Sequence, residues 1–190
     1  MTIGILGLQG CTVPHHQKFA ALGVPTKRVL YPHDFADVDG LVLPGGESTT
    51  MLKTATDGLW DALREFAASK PVWGICAGCI LMATQVEHPA QTSLGLIDIT
   101  VSRNAYGSQI DSFCTQLPLQ LAEPATLPCI FIRAPRILRV GEGLKVLASH
   151  RDDPVMVRSD RHLVTTFHPE LTDHSRIHQY FSEWVAANRA

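Results

Sequence analysis

Cys76 stands between two glycines in Gly74-Ile75-Cys76-Ala77-Gly78, where the strand-like run Pro71 to Ile75 gives way to an apolar stretch of helical composition. A thiol in a G-x-C-x-G turn from strand to helix is the cysteine form of a nucleophile elbow. Such a turn strains the nucleophile's backbone and projects its side chain from the end of a sheet. Small residues two positions to either side let strand and helix approach. The turn also sets the sulfur at a helix N-terminus, where the dipole favours thiolate. It aims the backbone N–H of Ala77 toward the space where an oxyanion would form. Two plainer readings stay open on this motif alone. One is a buried cysteine in a tight turn; the other is a redox pair, since Cys76 and Cys79 form a C-x-x-C at a helix start.

A cysteine nucleophile needs a base, and the chain has nine histidines. His15 and His16 are expected on a helix surface, and His88 and His150 in loops. His174 and His178 are spaced i, i+4, as zinc ligands can be, but no third ligand accompanies them. His168 differs. It follows the strand-like "HLVTTF" and opens "HPE", so it lies at a strand end, as Cys76 does. Pro169 stiffens the link, and Glu170 can turn to the same side and orient the imidazole. An ordinary loop would explain H-P-E by itself; next to the elbow it supplies the two missing partners of a triad.

A second glycine stretch, "LPGGESTT" (43–50), also joins a strand to a helix. It lacks the lysine of a phosphate loop. Adjacent glycines at a strand end present N–H groups to an anion instead, which makes Gly45-Gly46 the candidate for the other half of an oxyanion hole. Glu47 and Ser48 would face the same pocket and hold a polar substrate. A helix cap and nothing more is the alternative.

The elements that must position these residues alternate along the first half. Segments 3–8, 26–31, 39–44 and 71–75 read as buried strands, and 14–22 and 48–69 as helices, the second capped by Ser48 or Thr49. That order implies an α/β fold with a parallel sheet covered by helices. In the second half, 94–101, 111–121, 128–134, 144–149, 154–158 and 162–167 are strand-like and closely spaced. They are expected to add antiparallel strands before the chain returns to the main sheet. From Asp173 to Asn188, residues Ile177, Tyr180, Phe181, Trp184 and Val185 share one stripe of an amphipathic helix. No linker, repeat or low-complexity tract interrupts the 190 residues, which suit a single domain spanning 1–190.

Composition narrows the function classes. With 45% hydrophobic and 18% charged residues and a formal net charge of −2, the chain gives no electrostatic reason to bind nucleic acid or a membrane surface. No apolar run has the length of a membrane span. Five cysteines at irregular spacing do not read as a disulfide framework. A reducing, cytoplasmic setting is the expectation.

Cys76, then His168 and Glu170 on one loop, with "LPGG" upstream, resembles the class I, triad-type glutamine amidotransferases. Within that class, "GLQG" (7–10), "LVLPGGESTTM" (41–51), "GICAG" (74–78), "GLIDITVSRNAYGSQIDSF" (95–113), "FIRAP" (131–135) and "FHPELTD" (167–173) are similar to the family of glutaminase subunits of pyridoxal 5′-phosphate synthase. The resemblance implies the single-domain fold of that class, a mostly parallel central sheet flanked by helices with added antiparallel strands. It implies an enzyme that hydrolyses L-glutamine and hands ammonia to a separate synthase (lyase) subunit in a large hetero-oligomeric complex, without cofactor or metal. Carried over by motif, Cys76 is the nucleophile, His168 the base and Glu170 its orienter. Gly46 and Ala77 form the oxyanion hole, and Gly46, Glu47, Ser48, Arg103, Ile132 and Arg133 contact glutamine. An arginine fork suits the substrate α-carboxylate, and either Arg103 or Arg133 could supply it.

The chain departs from the family pattern in places. Cys11-Thr12-Val13-Pro14 replaces an Ala-Val-Arg-Glu-like run, so the first helix is expected to start later. Cys79 replaces an aliphatic residue, and 84–93 looks like a trimmed rim loop. A thiol redox protein using Cys76 and Cys79, or a catalytically silent binding module on the same fold, are the rival functions.

Overall fold

The computed structural model describes residues 1–103 and 112–188. Residues 104–111, within the "GLIDITVSRNAYGSQIDSF" stretch and at the start of the strand expected over 111–121, lie outside the described residues.

The four apolar runs of the first half are the strands β1 (Ile3–Leu6), β2 (Thr26–Val29), β3 (Gly40–Leu43) and β4 (Val72–Ile75). β1, β3 and β4 are buried along their whole length, as strands covered on both faces must be. Between them run α1 (Thr12–Ala21), α2 (Ser48–Thr54) and α3 (Leu59–Ala67), and α4 (Ala77–Met82) follows β4. The helix expected over 48–69 is thus two helices. Ala55 is extended, Gly58 is left-handed at φ 75°, and the Thr56 hydroxyl donates to the Leu30 carbonyl at 3.0 Å. A side chain that bonds outside the helix competes with helical continuity. Glu47, not Ser48 or Thr49, occupies the N-cap of α2. α1 starts earlier than expected, at Thr12, because Pro14 falls in the first turn, where a missing N–H loses no helical bond.

The second half contributes β5 (Ala83–Glu87), β6 (Ile97–Ser102), β7 (Phe113–Leu119), β8 (Ala125–Phe131), β9 (Arg136–Val140), β10 (Lys145–His150), β11 (Asp153–Arg158), β12 (His162–Thr165) and α5 (Arg176–Ala187). The seven-stranded main sheet has the order β10-β11-β12-β4-β3-β1-β2. β12, β4, β3, β1 and β2 are mutually parallel, while β11 runs antiparallel to both β12 and β10. β7 and β8 form an antiparallel hairpin. A small sheet, β5-β6-β9, departs from the expectation of purely antiparallel additions, because β5 pairs parallel with β6. α5 buries Ile177, Phe181 and Val185 and leans Tyr180 and Trp184 on the same core. Among the described residues no helix is long and apolar enough to cross a membrane.

Candidate active site

The parallel strands bring the chemistry to one place. β4 lies between β3 and β12, with Leu43 opposite Gly74 and Thr165 opposite Ile75. Gly45, Cys76 and His168 therefore leave three neighbouring strands at the same carboxyl end, where open α/β sheets place their ligands. Cys76 has φ 49° and ψ −99°, a conformation that L-residues rarely hold. Its N–H donates to Thr165 at 2.8 Å and its carbonyl accepts from Ile80 at 3.1 Å, so both neighbours pin the turn. The flanking glycines allow close approach. A Cβ on Gly74 would lie 2.6 Å from the Gly78 carbonyl, and one on Gly78 would lie 2.1 Å from the Leu43 oxygen. Ala77, first in α4, has an N–H with no acceptor inside the helix.

His168 is fixed by its own N–H, which donates to the Ile130 carbonyl at 2.8 Å. Pro169–Leu171 is one 3₁₀ turn, and this turn, rather than strand alternation, folds Glu170 back beneath the imidazole. His168 Nδ1–H donates to Glu170 Oε1 at 2.7 Å, and the ring also hydrogen-bonds Cys76. The ring rests on Gly45, where a Cβ would come within 2.4 Å of Cε1. Burial opposes a charge on His168, but the bonds to Cys76 and Glu170 outweigh it and push its pKa up to about 10. Both contacts thus favour the protonated imidazole beside the sulfur.

Gly46, Glu47, Ser48, Arg103, Ile132 and Arg133 all line a cleft of about 320 Å³ that also contains Cys76 and His168. All six expected substrate contacts are thus brought to the nucleophile. Glu47 pairs with Arg103 at 3.2 Å and accepts the Thr49 hydroxyl at 2.9 Å. The Ser48 hydroxyl is turned to Gln91 Oε1, 2.9 Å away. Arg133 sits at φ 44°, so strain at this rim residue adds to that at Cys76. A residue given no role in the motif reading, Gln9, lines the cleft and accepts the Glu47 N–H at 2.7 Å. Cys11 donates its N–H to the Gly45 carbonyl at 3.0 Å. In a planar trans peptide, N–H and C=O point opposite ways, so this bond sets where the Gly46 N–H points. A Cβ on Gly46 would meet Gln9 Oε1 at 2.6 Å. Gln9 of "GLQG" and the adjoining Cys11 thus brace the glycine pair.

Two of the histidine expectations fail: His150 is the last residue of strand β10 rather than part of a loop. His15 is not on a helix surface; it is fully buried, as is His178, and their rings meet at 2.9 Å. His178 therefore faces away from His174, which is exposed. Among the described residues no group of three or more His, Cys, Asp or Glu could hold a metal ion. Cys79 is sealed in α4, and burial drives its thiol pKa far up, an environment opposite to that of a reactive dithiol.

A model of the SNO glutamine amidotransferase family matches residues 5–187. The chain belongs to that family. SNO-family relatives cover it almost end to end. A Deinococcus radiodurans protein called pyridoxal 5′-phosphate synthase subunit PdxT is 47% identical over 189 residues, 95% of each chain. Its Solibacter usitatus namesake is 48% identical over 185 residues, covering 94% of this chain and 96% of its own. A crystal structure of a glutamine amidotransferase superposes with a TM-score of 0.89 at 38% identity, over 97% of this chain and 98% of that one. The α/β architecture described above is therefore that of a glutamine amidotransferase. Neither a thiol redox role nor a silent binding module gains support from any of these likenesses.

Proposed function

We propose that this chain hydrolyses L-glutamine to L-glutamate and ammonia through a thioester on Cys76, and that it serves a synthase subunit making pyridoxal 5′-phosphate. The observation that carries the reading is the unbroken chain Cys76–His168–Glu170 at the floor of a cleft whose wall holds a Glu47–Arg103 pair. In the reaction the Cys76 sulfur attacks the side-chain amide carbon, and N–H groups of Gly46 and Ala77 receive the oxyanion. His168 gives its proton to the departing nitrogen, releasing ammonia and leaving a glutamyl thioester. Water enters, His168 takes its proton, and the hydroxide attacks the thioester. Glutamate departs and the sulfur is regenerated.

Glu47 and Arg103 together suit the zwitterionic head of glutamine. The guanidinium would take the α-carboxylate and the carboxylate the α-ammonium. This assigns Arg103, rather than Arg133, to the substrate carboxylate, and leaves Arg133 and Ile132 to shape the rim. The relatives' name of synthase subunit supports a partner that consumes the ammonia. The N–H of Gly46 must face the oxyanion, and its direction is tied to the Cys11–Gly45 hydrogen bond.

The test is glutamate release from glutamine by the chain alone and with its synthase subunit, beside Cys76→Ala. The expected result is slow turnover alone, a large rise in kcat on adding the subunit, and none with Cys76→Ala. Turnover by Cys76→Ala equal to the wild type would overturn the reading.

A further inference from the structure

Behind the triad lies a buried polar pair that the proposed reaction does not use. Glu170 has one carboxylate oxygen on His168, while its other oxygen, Oε2, is buried and without a hydrogen-bond partner. The facing group is Nε2 of His15, 3.8 Å away, itself buried and unpartnered. Both side chains are 0% exposed. On its other side His15 Nδ1 meets Nε2 of His178 at 2.9 Å. The pair is boxed by aromatic edges, Trp73 against both rings and Phe19 against His178.

Only one tautomer of this pair suits a neighbouring carboxylate. If His15 donated from Nδ1 to His178, its Nε2 lone pair would face Glu170 Oε2, negative against negative. If His178 Nε2–H donates instead, His15 carries its proton on Nε2 and presents an N–H dipole to the carboxylate. At 3.8 Å this is a charge–dipole contact rather than a hydrogen bond. Glu170 Oε2 has no hydrogen-bond partner among the described residues, and a buried carboxylate oxygen left bare is costly.

We propose that His15 is a positioning residue for Glu170, held in its Nε2–H tautomer by His178, so that the triad continues through α1 into α5. The inference rests on the glutaminase reading. Burial keeps both rings uncharged, lowering each pKa to about 3, so they act as fixed dipoles. The other titratable groups that face them are His168, His16 and Lys18, and the Lys18 ammonium is engaged by the Thr172 carbonyl.

The experiment measures glutaminase kinetics of the full chain with its synthase subunit, together with the pH dependence of Cys76 alkylation by iodoacetamide. His15→Phe keeps a ring in the aromatic box and removes the dipole. It is expected to lower kcat roughly tenfold, by analogy with the loss of a group that orients a metal-ligating histidine, with little change in KM. Looser support of Glu170 should lower the His168 pKa, so the alkaline limb of the alkylation profile should move to lower pH. His15→Gln, which can return an N–H to the Nε2 position, should recover most of both. Should His15→Phe fail to fold, His178→Phe frees the tautomer and should shift the limb in the same direction. Unmoved limbs in the folded variants, or equal losses for Phe and Gln, would overturn the proposal. Absent turnover by the wild-type complex would instead sink the glutaminase reading, which this alkylation measurement does not depend on.

Discussion

At Cys76 and His168 the chain places a strained nucleophile beside an imidazole whose protonated form is favoured, so His168 and Glu170 should matter unequally. His168→Asn removes the proton donor to ammonia and the base for water. Its kcat should fall by about 10² to 10⁴, the usual worth of a positioned acid–base group. Glu170→Gln keeps the shape but exchanges a full charge for a dipole, so it should retain more activity and lower the His168 pKa from about 10. Steady-state assays and a pH titration of His168 by NMR check both; equal small losses would mean another group activates the thiol. Cys79 offers the contrast. It is fully buried and packed in the core, so Cys79→Ala should cost about 1 kcal/mol of stability and leave kcat nearly intact, as thermal melts and the same assay will show.

Among the elements, the β4–α4 turn is the most sequence-legible feature, because its glycines answer a steric demand that composition alone reveals. A Cβ on Gly78 would press on the Leu43 backbone oxygen at 2.1 Å, and backbone cannot step aside as a side-chain tip can. Gly78→Ala should therefore push α4 off β3, costing about 1–3 kcal/mol and lowering kcat by displacing Cys76; a melt and an assay unchanged from wild type would contradict this. Periodicity also gave the parallel strands and α5, since buried runs and a one-sided stripe are local signals. It did not give β5, which leaves α4 without a turn residue, or β9, a five-residue strand exposed on most positions. The split of α2 from α3 depends on Thr56 finding the Leu30 carbonyl, a contact across 26 residues. Likewise the motifs named the triad and the cleft wall, while Gln9, Gln91 and the His15–His178 pair depend on packing between distant segments that no local pattern encodes.

The whole molecule carries a consequence of burying so many uncharged imidazoles. His15 and His178 have pKa values lowered to about 3 and His162 to about 4, in each case chiefly by burial. Unfolded, each would titrate near 6.5. Between about pH 6.5 and 4 the unfolded chain thus binds three protons that the folded chain refuses, and stability must fall as pH falls. His168 has the opposite sign. Its raised pKa contributes stability fully present below about 6.5 and lost as pH climbs through about 10, so it does not offset the acid loss. A drop from pH 7 to 5 should remove a few kcal/mol, lowering Tm by about 5–15 °C in a chain of this size. The part due to His162 can be isolated. His162 is buried, with Nδ1 unpartnered, so His162→Leu sacrifices no hydrogen bond at that atom. That variant should melt near the wild type at pH 7.5 and show a flatter decline toward pH 5. Melts across that range decide it: a decline as steep as the wild type's would mean that His162 takes up its proton in the folded state after all.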